Sequence, residues 1–339
     1  MSVFEINHIV ESVDLPINTT IIGPTIINKL KEYFIKHNQK DYSDLINISG
    51  YSNVRNLCLL IPAIKNADLA VLIDDDEVFQ DSEFISKVKK QFTSPIRKDE
   101  TYGIAGYYVN GNGDYLVKKI FSPWMKHWNK TQKMNEAFTK IIGNPPRIKE
   151  TPFVFGGNMI IPKKLYSTIM FDPNIPRGED IDYLMNARMH GFTFYLDNQL
   201  QITHLPPPKS HPTWQRLRED IYRFLYEREK IRKQEKNSNN TKITAEEFDP
   251  YPGNFLKDDL EDKIIKANSL LAEEYKDKNK STDYNETKKN TDEIIKKAIP
   301  SFDPVEKYEK LRTHWIHLIC SLQKEDAKQE LNRIINLES

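Results

Sequence analysis

The sequence predicts an α/β fold followed by a helical extension, on three observations. Strand-like and helix-like patterns alternate through roughly the first 230 residues. A continuous apolar run, Leu69-Ala70-Val71-Leu72-Ile73, ends directly in Asp74-Asp75-Asp76-Glu77. Beyond residue 215 the texture changes to long amphipathic stripes separated by polar segments.

Residues 1–13 read as a helix, and the β-branched run 19–22, stopped by Gly23-Pro24, as a short strand. Residues 27–34 read as a second helix. Ser52 or Asn53 is placed to cap a third, whose apolar residues Val54, Leu57, Cys58 and Ile61 sit at helical spacing, with Pro62 expected to bend or end it. The run 69–73 has the composition of a strand buried on both faces of a parallel sheet. A helix is expected over 81–92, then strands over 104–109 and 115–118 around the turn Asn110-Gly111-Asn112-Gly113. Residues 153–161 read as a strand interrupted by Gly156-Gly157-Asn158. A helix over 178–190 turns Ile181, Leu184 and Met185 inward and ends before Gly191. Strands follow at 192–196 and 200–204.

In the extension, Trp214, Leu217, Ile221, Phe224 and Leu225 form one helical stripe, residues 260–275 a second, and Val305 to Leu322 a final helix. The polar stretches 233–242 and 277–291 read as a linker and a mobile segment. The organisation expected is an α/β unit over 1–215 and a helical extension over 216–339, without internal repeats.

Composition bounds the function. Among 339 residues, 49 Lys plus Arg balance 49 Asp plus Glu, which gives no global attraction to nucleic acid or an anionic membrane. The two cysteines, Cys58 and Cys320, make neither a disulfide framework nor a zinc site and suit a reduced, cytoplasmic setting. No apolar run approaches the ~20 residues of a membrane span. The first ten residues carry Glu5 and no basic head, unlike a signal peptide.

The chemistry concentrates in three segments. Ligands of open α/β sheets bind beyond the carboxyl ends of strands, which is where 74–77 would lie. Crowded carboxylates call for a cation or for solvent, and hard oxygens suit Mg²⁺ or Mn²⁺, which also bridge diphosphates. A solvated acidic loop is the alternative. Gly156-Gly157 permits close approach of backbone to a ligand, or marks a β-bulge. Gly178-Glu179-Asp180 places two carboxylates in a first helical turn, where the dipole favours anions. A carboxylate fixed there can deprotonate a hydroxyl.

These segments, in this order, resemble the family 2-type glycosyltransferases. Arg55-Asn56 matches that family's small-residue-Arg-Asn helix, Asp74 and Asp76 its Asp-x-Asp, Phe155-Gly156-Gly157-Asn158 its Gly-Gly segment, and Gly178-Glu179-Asp180-Ile181-Asp182 its Gly-Glu-Asp-x-Asp. The resemblance covers about residues 45–215 and implies a GT-A fold, a Rossmann-like mixed sheet flanked by helices. It implies metal-dependent transfer of a sugar from a UDP- or GDP-linked donor to an acceptor hydroxyl. It further implies Asp180, with Glu179, acting on the acceptor. Arg55, Asn56, Asp74, Asp75, Gly156, Gly157 and Asn158 would bind the nucleotide-sugar, and Asp76 and His204 a Mn²⁺ or Mg²⁺ ion. After His204 comes a Pro-rich loop with Lys209, His211 and Arg216, which either closes over a diphosphate or is a solvated basic linker. Trp124, His127 and Trp128 lie where the family places acceptor-binding elements, and would stack on a sugar or belong to the core. His314 and His317 read as surface residues. A homo-oligomer is compatible with everything above.

The opening departs from the family, since its first strand and Pro-Thr-Tyr-Asn-like turn are not matched by residues 1–13. Two further readings stay open: a sugar-nucleotide-binding relative without turnover, and a metal-dependent nucleotidyltransferase, for which a Gly-rich phosphate loop is missing.

Overall fold

A computed structural model describes residues 3–13, 17–93, 101–118, 121–208, 211–234 and 240–336. A mixed sheet of six strands carries the fold: β1 (Leu69–Leu72), β2 (Glu77–Val78), β3 (Tyr102–Val109), β4 (Ile148–Glu150), β5 (Met159–Pro162) and β6 (Thr193–His204). The order is β1-β5-β3-β6-β2, with β4 also against β6. The β3–β6 pair is parallel and every other pair antiparallel.

Helices α1 (Val3–Ser12), α2 (Pro24–Lys36), α3 (Lys40–Ser43) and α4 (Tyr51–Ile64) precede the sheet, and α5 (Phe84–Thr93), α6 (Lys130–Phe138), α7 (Lys163–Thr168) and α8 (Glu179–Met189) are interleaved with it. The extension is α9 (Thr213–Lys233), α10 (Leu260–Asp277), α11 (Ser281–Lys289), α12 (Ile295–Ala298), α13 (Pro304–Ser321) and α14 (Glu325–Ile335). Successive strand residues point to opposite faces. Accordingly Ala105, Met159 and Ile161 join a large core that reaches α9, α13 and α14, while Ile104 and Ile160 join a small one under Phe84 and Val88 of α5.

Several expectations are corrected. The β1 strand is at the end of the sheet rather than inside a parallel one; β5 is its one partner among the described residues, and only Ala70 and Leu72 are buried. The β-branched run 19–22 is not a strand. In α4 the inward face is Ser52, Asn56, Leu57, Leu59, Leu60, Ala63 and Ile64, so Val54 and Cys58 of the expected stripe face out. Pro62 lies inside that helix, two residues before its end. Residues 115–118 do not pair with β3, because the side-chain amide of Asn135 on α6 takes the place of a strand: Val117 N–H donates to Oδ1 and Nδ2 donates to the Val117 carbonyl, each 2.9 Å. The segments 192–196 and 200–204 are one strand, β6. Polar residues 281–289 form α11 rather than a mobile stretch, anchored by buried Thr287 and Asn290. A further helix, α14, follows the one expected to be last. Part of the expected linker, 235–239, lies outside the described residues. No helix among them is long and apolar enough to cross a membrane.

Candidate active site

Four segments distant in sequence meet at the carboxyl end of β1. The meeting point is Arg55, on α4. Its Nη2 lies 2.7 Å from Asp74 Oδ1, and its Nε 3.8 Å from Glu179 Oε1 at the start of α8. A Cβ on Gly156 would fall 2.7 Å from Arg55 Nη2, so a larger residue there would push the guanidinium from its place. Burial opposes the charge on Arg55, but Asp74 and Glu179 outweigh it and raise the pKa. Burial, then Asp180 beside it, pushes the Glu179 carboxyl up.

The acidic turn is held from the far side of the sheet. Strand β2 pairs antiparallel with the end of β6, which sets Glu77 opposite His204. The Leu205 N–H donates to the Asp76 carbonyl at 2.8 Å, and His204 Nε2 lies 3.2 Å from Asp76 Oδ2. The expected metal pair is therefore together. Carboxylate oxygens of Asp74, Asp76 and Glu77 come within 4.8 Å of one another. Glu77 Oε2 accepts the Asp74 N–H at 2.9 Å, whereas Oε1 is buried without a partner. Three carboxylates, one with a buried oxygen that makes no hydrogen bond, and an imidazole suit a hard divalent ion, and the imidazole favours Mn²⁺ over Mg²⁺.

Glu77 and Tyr108 are the members that sequence reasoning left without a role. Tyr108, on β3, accepts the Gly157 N–H at 2.6 Å and stacks near the His204 ring, with centroids 4.9 Å apart. Burial, then the Glu77 carboxylate, drives the phenol pKa far above its ordinary value. Burial also raises Glu77. A Cβ at Gly157 would overlap the Glu77 carboxylate, so the Gly-Gly segment presses on Arg55 with one residue and on Glu77 with the next. A glutamate beside three aspartates was visible; the tyrosine that β3 sets near it was not.

Other expected members lie elsewhere. Asn56 is buried and clamps the backbone of Phe171: Nδ2 donates to its carbonyl at 2.9 Å and Oδ1 accepts its N–H at 2.8 Å. Asn158 is buried between β3 and β6, where Nδ2 donates to the carbonyls of Tyr107 and Leu200 and fills the irregularity after Ala105. The Asn56 amide is spent on backbone at both atoms, and Asn158 spends its Nδ2 there while its Oδ1 is buried without a hydrogen-bond partner. Asp75 points to solvent, and Glu77 takes its place in the cluster. Arg216 Nη2 donates to Thr213 within α9 and meets none of these residues. Lys209 lies outside the described residues. Trp124 and Trp128 are core, the latter against Phe224 and Phe255. Asp180 is half-buried at the head of α8, with Oδ1 accepting the Ile181 N–H at 2.8 Å.

No curated protein matches the sequence. Among solved structures, the chain is similar to a mannosyltransferase from Pyrobaculum calidifontis in complex with GDP-Man and Mn²⁺, at 12% identity and a TM-score of 0.38 over 82% of this chain and 67% of that one. It is also similar to GalNAc-T7 with UDP, GalNAc and Mn²⁺, at 14% identity and a TM-score of 0.30 over 61% of this chain and 43% of that one. The model of the glycosyltransferase-like family 2 matches residues 34–222, more than half of the chain and every segment that meets at Arg55. The chain belongs to that family.

Proposed function

We propose that the protein transfers a sugar from a nucleotide-diphosphate sugar to an acceptor hydroxyl, with a divalent ion bound at the acidic turn. The observation that carries this reading is the bridge made by Arg55, whose guanidinium holds Asp74 and lies beside Glu179, so the turn after β1 and the head of α8 face one space. Asp74 contacts the nucleotide. Asp76, Glu77 and His204, with Asp74, are the residues that would hold Mn²⁺ or Mg²⁺. When bound, such an ion neutralises charge on the diphosphate. Asp180 accepts the proton of the acceptor hydroxyl as the new glycosidic bond forms and the bond to the diphosphate breaks.

Calorimetric titration of UDP and of GDP, each with Mn²⁺ and again with EDTA, tests the donor half. Metal-dependent binding of one nucleotide, lost in Asp76→Ala, is expected. Binding and turnover unchanged in that variant would remove the acidic turn from the reading. Asp180→Asn should bind nucleotide and fail to transfer; retained transfer would assign the base elsewhere.

One observation favours a second reading, nucleotide-sugar binding without turnover. Strand β1 ends the sheet, with β5 its one partner among the described residues, so no strand flanks the donor side of the acidic turn there. Metal-dependent nucleotide binding with neither transfer nor donor hydrolysis would establish it.

A further inference from the structure

Asp220, Arg223, Glu227 and Lys230 recur on one face of α9, at spacings of three, four and three, and all four are buried. This face carries alternating charge into the core. Its two ends are paired: Asp220 Oδ1 is 2.6 Å from Lys130 Nζ, and Lys230 Nζ is 2.6 Å from Asp182 and 2.7 Å from Asp172. Between them Arg223 is only partly satisfied. Its Nε donates to Glu227 Oε1 at 3.1 Å, while Nη2 is buried without a hydrogen-bond partner.

The guanidinium lies against the turn that starts α8. Gly178 caps that helix with φ of +76°, and a Cβ there would overlap Arg223 Nε, Cζ and Cδ. Glu179 and Asp180 follow at once. Two adjacent carboxylates at a helix start repel each other as well as enjoying the dipole. Arg55 answers Glu179 from the donor side. Arg223 stands behind the turn from the extension; burial opposes its charge, and Glu227 first, then Tyr251, Asp180 and Asp220 outweigh it. A buried guanidinium with an unmade hydrogen bond is costly where an apolar side chain would fill the volume. Packing alone does not account for it.

We propose that Arg223 is a positioning residue for Asp180: its guanidinium backs Gly178, holds the turn 176–178 and the first turn of α8 in place, and so makes the extension part of the active site. The inference rests on the reading of Asp180 as the base.

The test compares Arg223→Met and Arg223→Lys with the wild type in three measurements: Mn²⁺-dependent nucleotide binding, the split between kcat and donor KM, and hydrogen–deuterium exchange of peptides covering 176–183 and α4. Arg223→Met should bind nucleotide within about twofold and keep its donor KM, yet lose about 10- to 100-fold in kcat, the size of effect a misplaced group produces. Exchange should quicken in 176–183 and stay unchanged in α4. Arg223→Lys should recover part of kcat, and it carries the comparison if the methionine variant does not fold. Wild-type kcat with wild-type exchange would overturn the inference. So would nucleotide binding and kcat falling together with faster exchange everywhere, which is loss of fold. If the wild type transfers no sugar to any acceptor tried, the base reading fails, and local exchange alone decides whether Arg223 holds the turn.

Discussion

Charge is used in opposite ways in the two halves of the molecule. Around Arg55, charged groups from four segments gather at the end of a strand, keep some contact with solvent and leave one carboxylate oxygen unsatisfied. Along α9, Asp220, Arg223, Glu227 and Lys230 sit inside the core, where Lys130 and Asp182 close the two ends and Arg223 and Glu227 pair with each other between them, each keeping one buried atom without a hydrogen bond. A group of the first kind is open to solvent and can take a ligand. A group of the second kind fixes one packing arrangement, because removing one partner leaves a buried charge behind. Removing a cation from each region should therefore produce different losses.

The largest expected effect is at the first region. Arg55→Ala should lower turnover by on the order of 100-fold or more, since it frees the acidic turn from α8 by more than the displacement catalysis tolerates. Thermal stability should fall less than in a core variant. Kinetics and a melting curve on one preparation check this; turnover near the wild type would break the contrast.

Lys230→Met is the matching change in the core. Lys230 is 0% exposed and serves two carboxylates, with the Tyr226 hydroxyl also donating to Asp172 at 2.7 Å. Burial holds the Asp182 carboxyl up at about 6 even with Lys230 beside it. Removing the ammonium should cost roughly 3–5 kcal/mol in urea unfolding. A loss below about 1 kcal/mol would show that the cluster is indifferent to its cation.

Asn56→Ala sharpens the boundary between the regions. Arg55 and Asn56 are neighbours in one motif, yet only the first reaches the site. Losing the amide leaves the Phe171 N–H and carbonyl unpaired in the core, at about 2–4 kcal/mol. Nucleotide affinity of the folded protein should be unchanged. Weaker nucleotide binding at equal stability would return Asn56 to the ligand.

What was legible in the sequence follows the same division. Asp74, Asp76, Glu179, Asp180, Gly156, Gly157 and His204 stand in short ordered segments, and the structure brings those segments together. The asparagines stand in the same motifs, but their amides bond backbone. The backbone each satisfies, at Phe171 or at Leu200, is identified only by the fold. The outward turn of Val54 and Cys58 has the same origin, since Ser52 and Asn56 take the inward positions. On α9 the partners are likewise named only by the fold, since Lys230 meets Asp172 and Asp182, and Asp220 meets Lys130, from other elements.

The smallest expected effect tests whether the outer end of the extension follows the core or the site. Burial pushes the Glu309 carboxyl up, but His190, 2.9 Å away at the end of α8, and Arg312 outweigh it and bring it down to about 2. An unfolded glutamate titrates near about 4.3. A carboxyl depressed on folding stabilises fully above its unfolded pKa and loses that contribution as pH falls through the folded one. The stability difference between the wild type and Glu309→Gln should therefore shrink as pH falls below about 4.5 and be nearly lost at about pH 2. Chemical unfolding of both proteins across that range measures it. A difference that does not change with pH would mean Glu309 acts through shape alone, and that charge holds α13 to α8 no more firmly than packing does.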